Sequence, residues 1–478
     1  MIESFIKLTN TTFIRPESDY IYLFNQITYN ELYLDKDSED FISVLTKIPQ
    51  KFDDLINQLY KIYDIDRGTL ITDFSEFISE LVDSKFVITA NTIEELKEKE
   101  PVFTYKNWNI EKANVIKSNN EETQSENINI IPKDIDAANE LFIENLYLEI
   151  TRRCNEHCVH CYIPEEQRAT GSFMSIDNAK KYLDQAKELN VWKISITGGE
   201  PFLNKDINDI ILYAREKDFL INILSNLTVI KQEHIDVLKK SYIYLIQVSL
   251  YSLIPEVHDK ITGLKGSFNK TFNNIKLCIE NDIPIQINCP VLSINKNDYQ
   301  AVQEWGFQQG IKVNVDFNIL AQTDNKKTNL NYILNQQEIK DTYKFFIKDN
   351  NIDLKSFFNF NNNVNFNEPT CEAAKDELFI TATGTVKPCS VWAKEIGDLK
   401  QISLKDIYYN SKETKQIRGI TKSNYKDIYN SELLPFIKIC PAHFANTNNG
   451  NYKTIPETDI INAKLKLEAI KELLKENN

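Results

Sequence analysis

From Leu146 onward the chain repeats one pattern, a short apolar run bounded by turns followed by a stretch with helical spacing. The apolar runs are LYLEI, WKISIT, LINILS, YLIQVSL, PIQINCPVL and KVNVDFNIL. Between them lie SIDNAKKYLDQAKEL, DINDIILYAREK, QEHIDVLKKS, SFNKTFNNIKLCIEN and DYQAVQEWGFQQ, with apolar residues three and four apart. Strands that alternate with helices return to their sheet in parallel, through right-handed crossovers. An α/β fold follows. Six repeats rather than eight favour a partial (β/α)6 barrel over a closed one, with a doubly wound sheet as the alternative.

The eight cysteines are Cys154, Cys158, Cys161, Cys278, Cys289, Cys371, Cys389 and Cys440. In a large chain without a secretory signal, clustered cysteines read as metal ligands or reactive groups before disulfides. CNEHCVHC places Cys154, Cys158 and Cys161 in a C-x3-C-x2-C spacing directly after the first strand of the repeat. Thiolates hold iron–sulfur clusters, and a [4Fe–4S] cluster has four ligand positions. Three thiolates leave one iron open. A Cys3His zinc site drawing on His157 or His160 is the alternative that spacing leaves in place. Cys278 lies on an apolar helix face, and Cys289 alternates with Ile285, Ile287 and Val291, so both belong to the core.

CxxxCxxC after the first strand, then TGGEP (Thr197 to Pro201) after the second, resembles the radical S-adenosylmethionine (SAM) superfamily. The resemblance implies a six-stranded partial barrel in which Cys154, Cys158 and Cys161 hold a [4Fe–4S] cluster. SAM would chelate its open iron and, after one-electron cleavage, give a 5′-deoxyadenosyl radical that abstracts a substrate hydrogen. Gly198, Gly199, Glu200 and Pro201 match the methionine-binding segment. Its glycines allow close backbone approach, and Glu200 can accept from an ammonium. Ser225 and Asn226 match the ribose-contacting position, and His160 and Tyr162 flank Cys161 where an aromatic often packs near the adenine. On the fourth strand Gln247 and Ser249 alternate with Ile246, Val248 and Leu250, as expected of a strand facing a polar cofactor. Asn288, on the face opposite Cys289, is a further site residue.

The stretch VSLYSLIPEVHDKITGLKGSF narrows the resemblance to SPASM/twitch radical SAM enzymes, which modify peptides and proteins. Tyr251 stands where Asp is common, and Thr262 where an Arg that helps hold the SAM carboxylate is common. The resemblance then leaves Ser249, Lys260 or Lys265 for that carboxylate. Cys371, Gly384 and Cys389 resemble the opening of the auxiliary-cluster domain, with GTVKPC as a hairpin that presents a thiolate. Cys440-Pro-Ala-His443 replaces the usual C-x2-C. The seven-cysteine pattern is incomplete, so one auxiliary [4Fe–4S] cluster is implied, held by Cys371, Cys389, Cys440 and His443. With only the three thiolates, the fourth site would be open to a substrate thiol. Three unrelated buried cysteines are the alternative.

In the first 95 residues, DYIYLFNQ and ITYNELYL read as a strand pair. DSEDFISVLTKI, FDDLINQLYKIYDI and TLITDFSEFISELVDS read as helices, and KFVIT as a closing strand. This winged-helix-like pattern resembles the PqqD-like recognition element at the front of enzymes that mature ribosomally made peptides (RiPPs). The resemblance implies a domain at 1–95 that binds a leader peptide on a strand edge. A polar, Asn/Glu-rich linker follows at 96–140, then the barrel at 141–325, then an auxiliary region with a C-terminal helix at 326–478. The net charge of -14 argues against nonspecific nucleic-acid binding. No apolar run reaches the ~18 residues of a membrane span, and MIESFIKLTN lacks a signal peptide's regions, so a cytoplasmic location is expected. The expected reaction is thioether or carbon–carbon cross-linking of a precursor peptide, with flavodoxin or ferredoxin as reductant. Alternatives are side-chain oxidation as in anaerobic sulfatase-maturating enzymes, peptide epimerisation, and a non-enzymatic Fe–S adaptor or redox regulator. No catalytic acid or base is assigned.

Overall fold

The computed structural model describes residues 3–17, 19–106, 141–358 and 364–476. The chain divides into two compact units, Met1–Thr104 and Tyr105–Asn478.

In the N-terminal unit, strands β1 (Phe5–Leu8), β2 (Thr12–Pro16), β3 (Tyr20–Asn25), β4 (Glu31–Asp35), β5 (Gln50–Lys51) and β6 (Val87–Ala90) make two antiparallel sheets. Their orders are β5-β1-β6 and β2-β3-β4. Helices Phe52–Leu59 and Arg67–Asp83 supply Leu55, Ile56, Leu59, Leu70, Phe74, Ile78 and Leu81 to the core. The strand pair expected at 19–34 is β3 and β4. Strands β1 and β2 escape the sequence reading because buried threonines break their apolar pattern. Thr9 and Thr12 bond each other at 2.7 Å, and Thr12 donates to the Phe86 carbonyl at 2.9 Å. The helix expected over DSEDFISVLTKI shortens to Glu39–Ser43, and the Thr46 carbonyl is taken by the Leu8 N–H at 2.8 Å. A further helix, Ile93–Lys99, starts at a capping box of Thr92 and Glu95. The linker expected at 96–140 therefore begins inside this helix, and its residues 107–140 lie outside the described residues.

In the larger unit the six expected strands all form: β7 (Asn145–Thr151), β8 (Lys193–Gly198), β9 (Leu220–Ser225), β10 (Leu245–Ser249), β11 (Ile285–Pro290) and β12 (Lys312–Asp316). Each pairs in parallel with the next. Strands β13 (Glu377–Ile380), β14 (Thr385–Lys387) and β15 (Gly397–Asp398) continue the same sheet past β7, giving the order β12-β11-β10-β9-β8-β7-β13-β14-β15 among the described residues. The auxiliary region is thus sheet-continuous with the βα repeats. Its C-terminal helix Glu457–Glu476 packs on helix Gln336–Asp349 through Leu467, Ile470 and Leu473 against Phe346 and Ile347, with Lys340 bridging Glu468 and Glu472 alongside.

Alternation divides the two faces of the sheet. Leu146, Leu148, Ile194, Ile196, Ile221, Ile223, Ile246, Val248 and Ile287 are buried in one core with helical residues such as Leu183, Ile211, Leu238 and Ile275. Helix Ile176–Glu188 shows the logic: Ser175 caps Asn178 at 3.3 Å, and Ala179, Tyr182, Leu183 and Ala186 form its buried stripe. The other face is polar. Register sets Tyr147 beside Ser195, Glu149 beside Thr197, and Ser249 beside Asn288. Ser195 donates to Asn145 at 2.8 Å and accepts from Asn222 at 3.2 Å. Lys193 pairs with Glu144 at 3.2 Å, with 8% and 10% of the side chains exposed. Removing one member of a buried pair strands the other charge. Lys193→Met is therefore expected to cost about 3–5 kcal/mol in urea unfolding. Glu144→Leu/Lys193→Met should cost less than that single change, and a double variant at least as unstable would contradict the pairing.

Candidate active site

The first thiol group sits on the loop that follows β7. Main-chain bonds pin this loop on two sides. Cys154 N–H reaches the Arg168 carbonyl at 3.2 Å, His157 N–H the Thr262 carbonyl at 2.8 Å, and Val159 N–H the Ile261 carbonyl at 2.9 Å. The helix Pro255–Thr262 thus braces the cysteine loop. It ends at Gly263, whose φ of 65° is left-handed and where a Cβ would lie 3.0 Å from His157. Thr262 is buried and bonded to Ser267 at 2.6 Å, while Lys260 and Lys265 are exposed.

Burial pushes the Cys154 thiol up to about 12 and raises Cys158 and Cys161; Cys154 feels Cys161, and Cys158 feels both other sulfurs. Glu156 lies among them, with Oε2 accepting from Cys158 at 3.3 Å and the buried Oε1 without a partner. His157 faces the exposed Glu165 at 3.0 Å, and His160 meets Tyr251 edge-to-face, ring centroids 5.1 Å apart, with its Nδ1 unpartnered. Three thiols on one loop pinned by main-chain bonds, with Cys158 sensing both other sulfurs, form a donor set that fits a [4Fe–4S] cluster held by Cys154, Cys158 and Cys161.

Gly198 and Gly199 end β8 directly against the start of this loop. A Cβ on Gly198 would strike the Thr151 carbonyl, and one on Gly199 the Arg153 carbonyl. Gly199 N–H bonds Thr151 O at 2.9 Å, and Glu200 N–H bonds Arg153 O at 2.8 Å. Pro201 starts the short turn Pro201–Leu203. The Glu200 carboxylate is fully buried and accepts from Phe202 N–H at 2.9 Å, Asn226 N–H at 2.8 Å and Ser225 Oγ at 2.9 Å. Burial raises it to about 7 against these donors. Glu200 therefore ties β8 to the end of β9 with its own carboxylate. Asn226 extends the tie: its Nδ2 donates to Asn155 at 3.1 Å and lies 3.9 Å from Cys154 Sγ.

Further along the polar face, Asn288 donates to Gln247 at 3.1 Å and accepts from Gln286 at 3.3 Å and Asn314 at 3.4 Å. Gln247, Ser249 and Asn288 are half-buried. Tyr251 is buried between His160 and His258, and Cys278 and Cys289 are in the core.

Cys371, Cys389 and Cys440 form a second group. Burial raises all three; Cys371 feels Cys440, and Cys389 feels both Cys371 and Cys440. Glu377, raised to about 8 by burial, acts on all three. The sequence placed His443 with them as a ligand, and the structure does not. Its Nε2 pairs with Asp459 at 3.0 Å and its Nδ1 with Thr447 at 3.5 Å, so only the main-chain N–H reaches Cys440, at 3.4 Å. The C-terminal helix carrying Asp459 claims the ring. Three thiols and a buried carboxylate fit an auxiliary cluster without the imidazole.

A narrow cavity lies among chain neighbours of the two groups, and no cysteine lines it. Tyr162 and Ile163 line it beside Cys161, and Lys387 and Ser390 beside Cys389. Glu149, Arg152, Thr197, Gly198, Thr323 and Phe379 complete it. The Tyr162 hydroxyl, raised by burial, senses both Cys161 and Cys389. Sequence reasoning missed Glu149, Arg152, Phe379 and Lys387. The alternation that singled out Gln247 and Ser249 also runs through Tyr147 and Glu149 on β7 and would have found Glu149.

Two predictions follow from these environments. His443→Ala should leave the iron content of the reconstituted protein unchanged, and a loss of iron would return the ring to the ligand set. Second, Glu156, Glu200 and Glu377 sit at about 8, 7 and 8 when folded, against an ordinary 4.5. The folded state keeps protons that the unfolded chain has released, so this contribution is complete below 4.5 and is lost as pH rises through 7 to 8. His160 and His258, lowered by burial to about 4, act oppositely but only below their ordinary 6.5. The cluster-free protein should therefore lose stability from about pH 6.5 to 8.5, on the order of a few kcal/mol. Thermal melts with a constant or rising midpoint would contradict this.

Residues 148–305 match the radical SAM superfamily, and residues 371–433 match SPASM, an iron–sulfur cluster-binding domain. The antilisterial bacteriocin subtilosin biosynthesis protein AlbA of Bacillus subtilis is 28% identical over 297 residues, covering 60% of this chain and 59% of AlbA. The Fe-coproporphyrin III synthase of Methanosarcina barkeri is 32% identical over 153 residues, covering 32% of this chain and 38% of that protein. The chain thus spans less than two thirds of these relatives' lengths. In fold it is similar to Streptococcus suis SuiB crystallised with its precursor peptide SuiA, with a TM-score of 0.56 and 15% identity over 91% of this chain and 96% of SuiB. The βα repeats with their thiol loop thus fall within the radical SAM match and the sheet extension with Cys371 and Cys389 within the SPASM match, and these matches imply SAM, a [4Fe–4S] cluster and auxiliary iron–sulfur as cofactors.

Proposed function

We propose that this chain modifies a ribosomally made precursor peptide by hydrogen-atom abstraction, forming a thioether or carbon–carbon cross-link. The observation that carries this reading is that the hairpin leading to Cys389 pairs with the strand leading to the Cys154 loop, so both thiol groups sit on one sheet. A peptide segment against that sheet end would lie between the radical domain and the auxiliary thiols.

When bound, SAM and its cluster supply one-electron cleavage and the hydrogen-abstracting group. The protein's part is positioning. Cys154, Cys158 and Cys161 hold the cluster. The Gly198–Gly199 backbone, Asn226, Gln247, Ser249 and Asn288 would hold SAM, with Ser225 bonded behind them to Glu200. Glu200 acts as a positioning residue, because its carboxylate is spent on Phe202, Ser225 and Asn226. Tyr162 closes the cavity between the two thiol groups. Cys371, Cys389 and Cys440 hold one auxiliary cluster, leaving a site for a substrate thiol. The N-terminal unit binds the leader. Its β4 ends the β2-β3-β4 sheet with Glu31, Tyr33 and Asp35 exposed, the form of a strand to which an extended peptide adds. A flavodoxin or ferredoxin supplies the electron.

The test is anaerobic incubation of the reconstituted protein with SAM, reductant and each small peptide encoded beside its gene. Cross-linking should remove two hydrogens from one peptide and yield 5′-deoxyadenosine. Cys154→Ala should lower both products by at least about 100-fold, given that three thiolates hold the cluster. Chiral amino-acid analysis separates epimerisation, which leaves the mass unchanged. Deoxyadenosine without a change in mass or chirality in any peptide would overturn the reading.

A further inference from the structure

We propose that Lys387 is a carboxylate anchor for the ligand that fills the cavity between the two thiol groups. Lys387 ends β14 opposite Phe379, which lies beside Tyr147 on β7. It therefore stands in the row of side chains that crosses the polar face, and it lines the cavity.

The hydrogen bonds of this cavity do not close. Arg152 is already committed: it donates to Glu149 from Nε and Nη2 at 3.0 Å each, and to Gln167 from Nη1 at 2.8 Å. Glu149 also accepts from the Ala382 N–H at 3.2 Å. The half-buried Lys387 Nζ forms no hydrogen bond or ion pair among the described residues, and Arg152, Glu149, Glu395 and the Cys389 sulfur act on it only at longer range. One amine with unmet donors remains. A partly desolvated ammonium favours an ionised acceptor, and a single carboxylate supplies both the charge and the lone pairs.

Two sources carry that group. One is an acidic side chain or C-terminus of the peptide, and this source rests on the function proposed above. The other is the carboxylate of SAM. Thr262, at the position where the carboxylate-holding Arg is common, is locked to Ser267, and Lys260 and Lys265 are exposed.

The test uses the full-length, anaerobically reconstituted protein and its Lys387→Met, Lys387→Arg and Lys387→Glu variants, checked for equal iron content. Two probes are bound: a random heptapeptide library with Asp or Glu fixed at one position, against the same library with Asn or Gln, and SAM against decarboxylated SAM. If a peptide supplies the carboxylate, the wild type prefers the acidic library by about 10-fold or more. Lys387→Met then loses the preference, Lys387→Arg keeps it and Lys387→Glu reverses it toward the amide library. If SAM supplies it, Lys387→Met weakens SAM about 10-fold or more but leaves decarboxylated SAM unchanged. Peptide binding without an acidic preference, together with SAM affinity that ignores position 387, overturns the anchor and spares the peptide reading. Absence of any peptide binding together with unchanged SAM affinity overturns both.

Discussion

The approach of the Gly198–Gly199 backbone to Thr151, Arg152 and Arg153 fixes where the first thiol group sits. No side chain fits between these segments, so the end of β8 and the loop leaving β7 share main-chain hydrogen bonds in place of packing. The consequences spread outward. With Gly199 held, Glu200 turns inward and gathers Phe202, Ser225 and Asn226. With Asn226 held, Asn155 and Cys154 are in reach. The helix Pro255–Thr262 then closes on the far side of the loop through His157 and Val159. A loop of short-range turns, with little apolar surface of its own, acquires a fixed shape from four surrounding elements. Preorganisation of this kind is what a cluster site requires, because the thiols must already converge when the metal arrives.

The continuity of the sheet matters as much. Strand β13 pairs with β7 in parallel, so the hairpin leading to Cys389 grows from the strand that leads to Cys154. The two thiol groups are therefore parts of one rigid framework. Tyr147 and Tyr162 lie between them, and both sense Cys389. A ligand in the cavity is held by groups whose spacing is set by strand register.

Much of this was legible in the sequence, for physical reasons that differ by residue. The parallel strands were readable because Ile246, Val248 and Ile287 pack under helices while Gln247, Ser249 and Asn288 face the other way. The thiol loop and the glycine pair were readable because few other arrangements use those spacings. Strands β1 and β2 were hidden because Thr9 and Thr12 satisfy each other inside the core, so polar letters stood at buried positions. The extra helix at Ile93–Lys99 hid in a charged stretch that reads as linker. His443 misled because its spacing from Cys440 suits a ligand, while its partner Asp459 lies on a helix whose docking no local pattern reveals. The place of Lys387 depends on which strands become neighbours, and the pairing of β13 with β7 joins residues more than 200 positions apart.

The central claim is that two separate thiol groups on one sheet each hold a cluster. The most direct measurement is iron and sulfide content of the Cys154→Ala/Cys158→Ala/Cys161→Ala variant after anaerobic reconstitution. Retention of about four irons and four sulfides per chain is the result the account predicts. Near-zero iron in a variant that still folds would mean that Cys371, Cys389 and Cys440 hold no cluster of their own, and would contradict it.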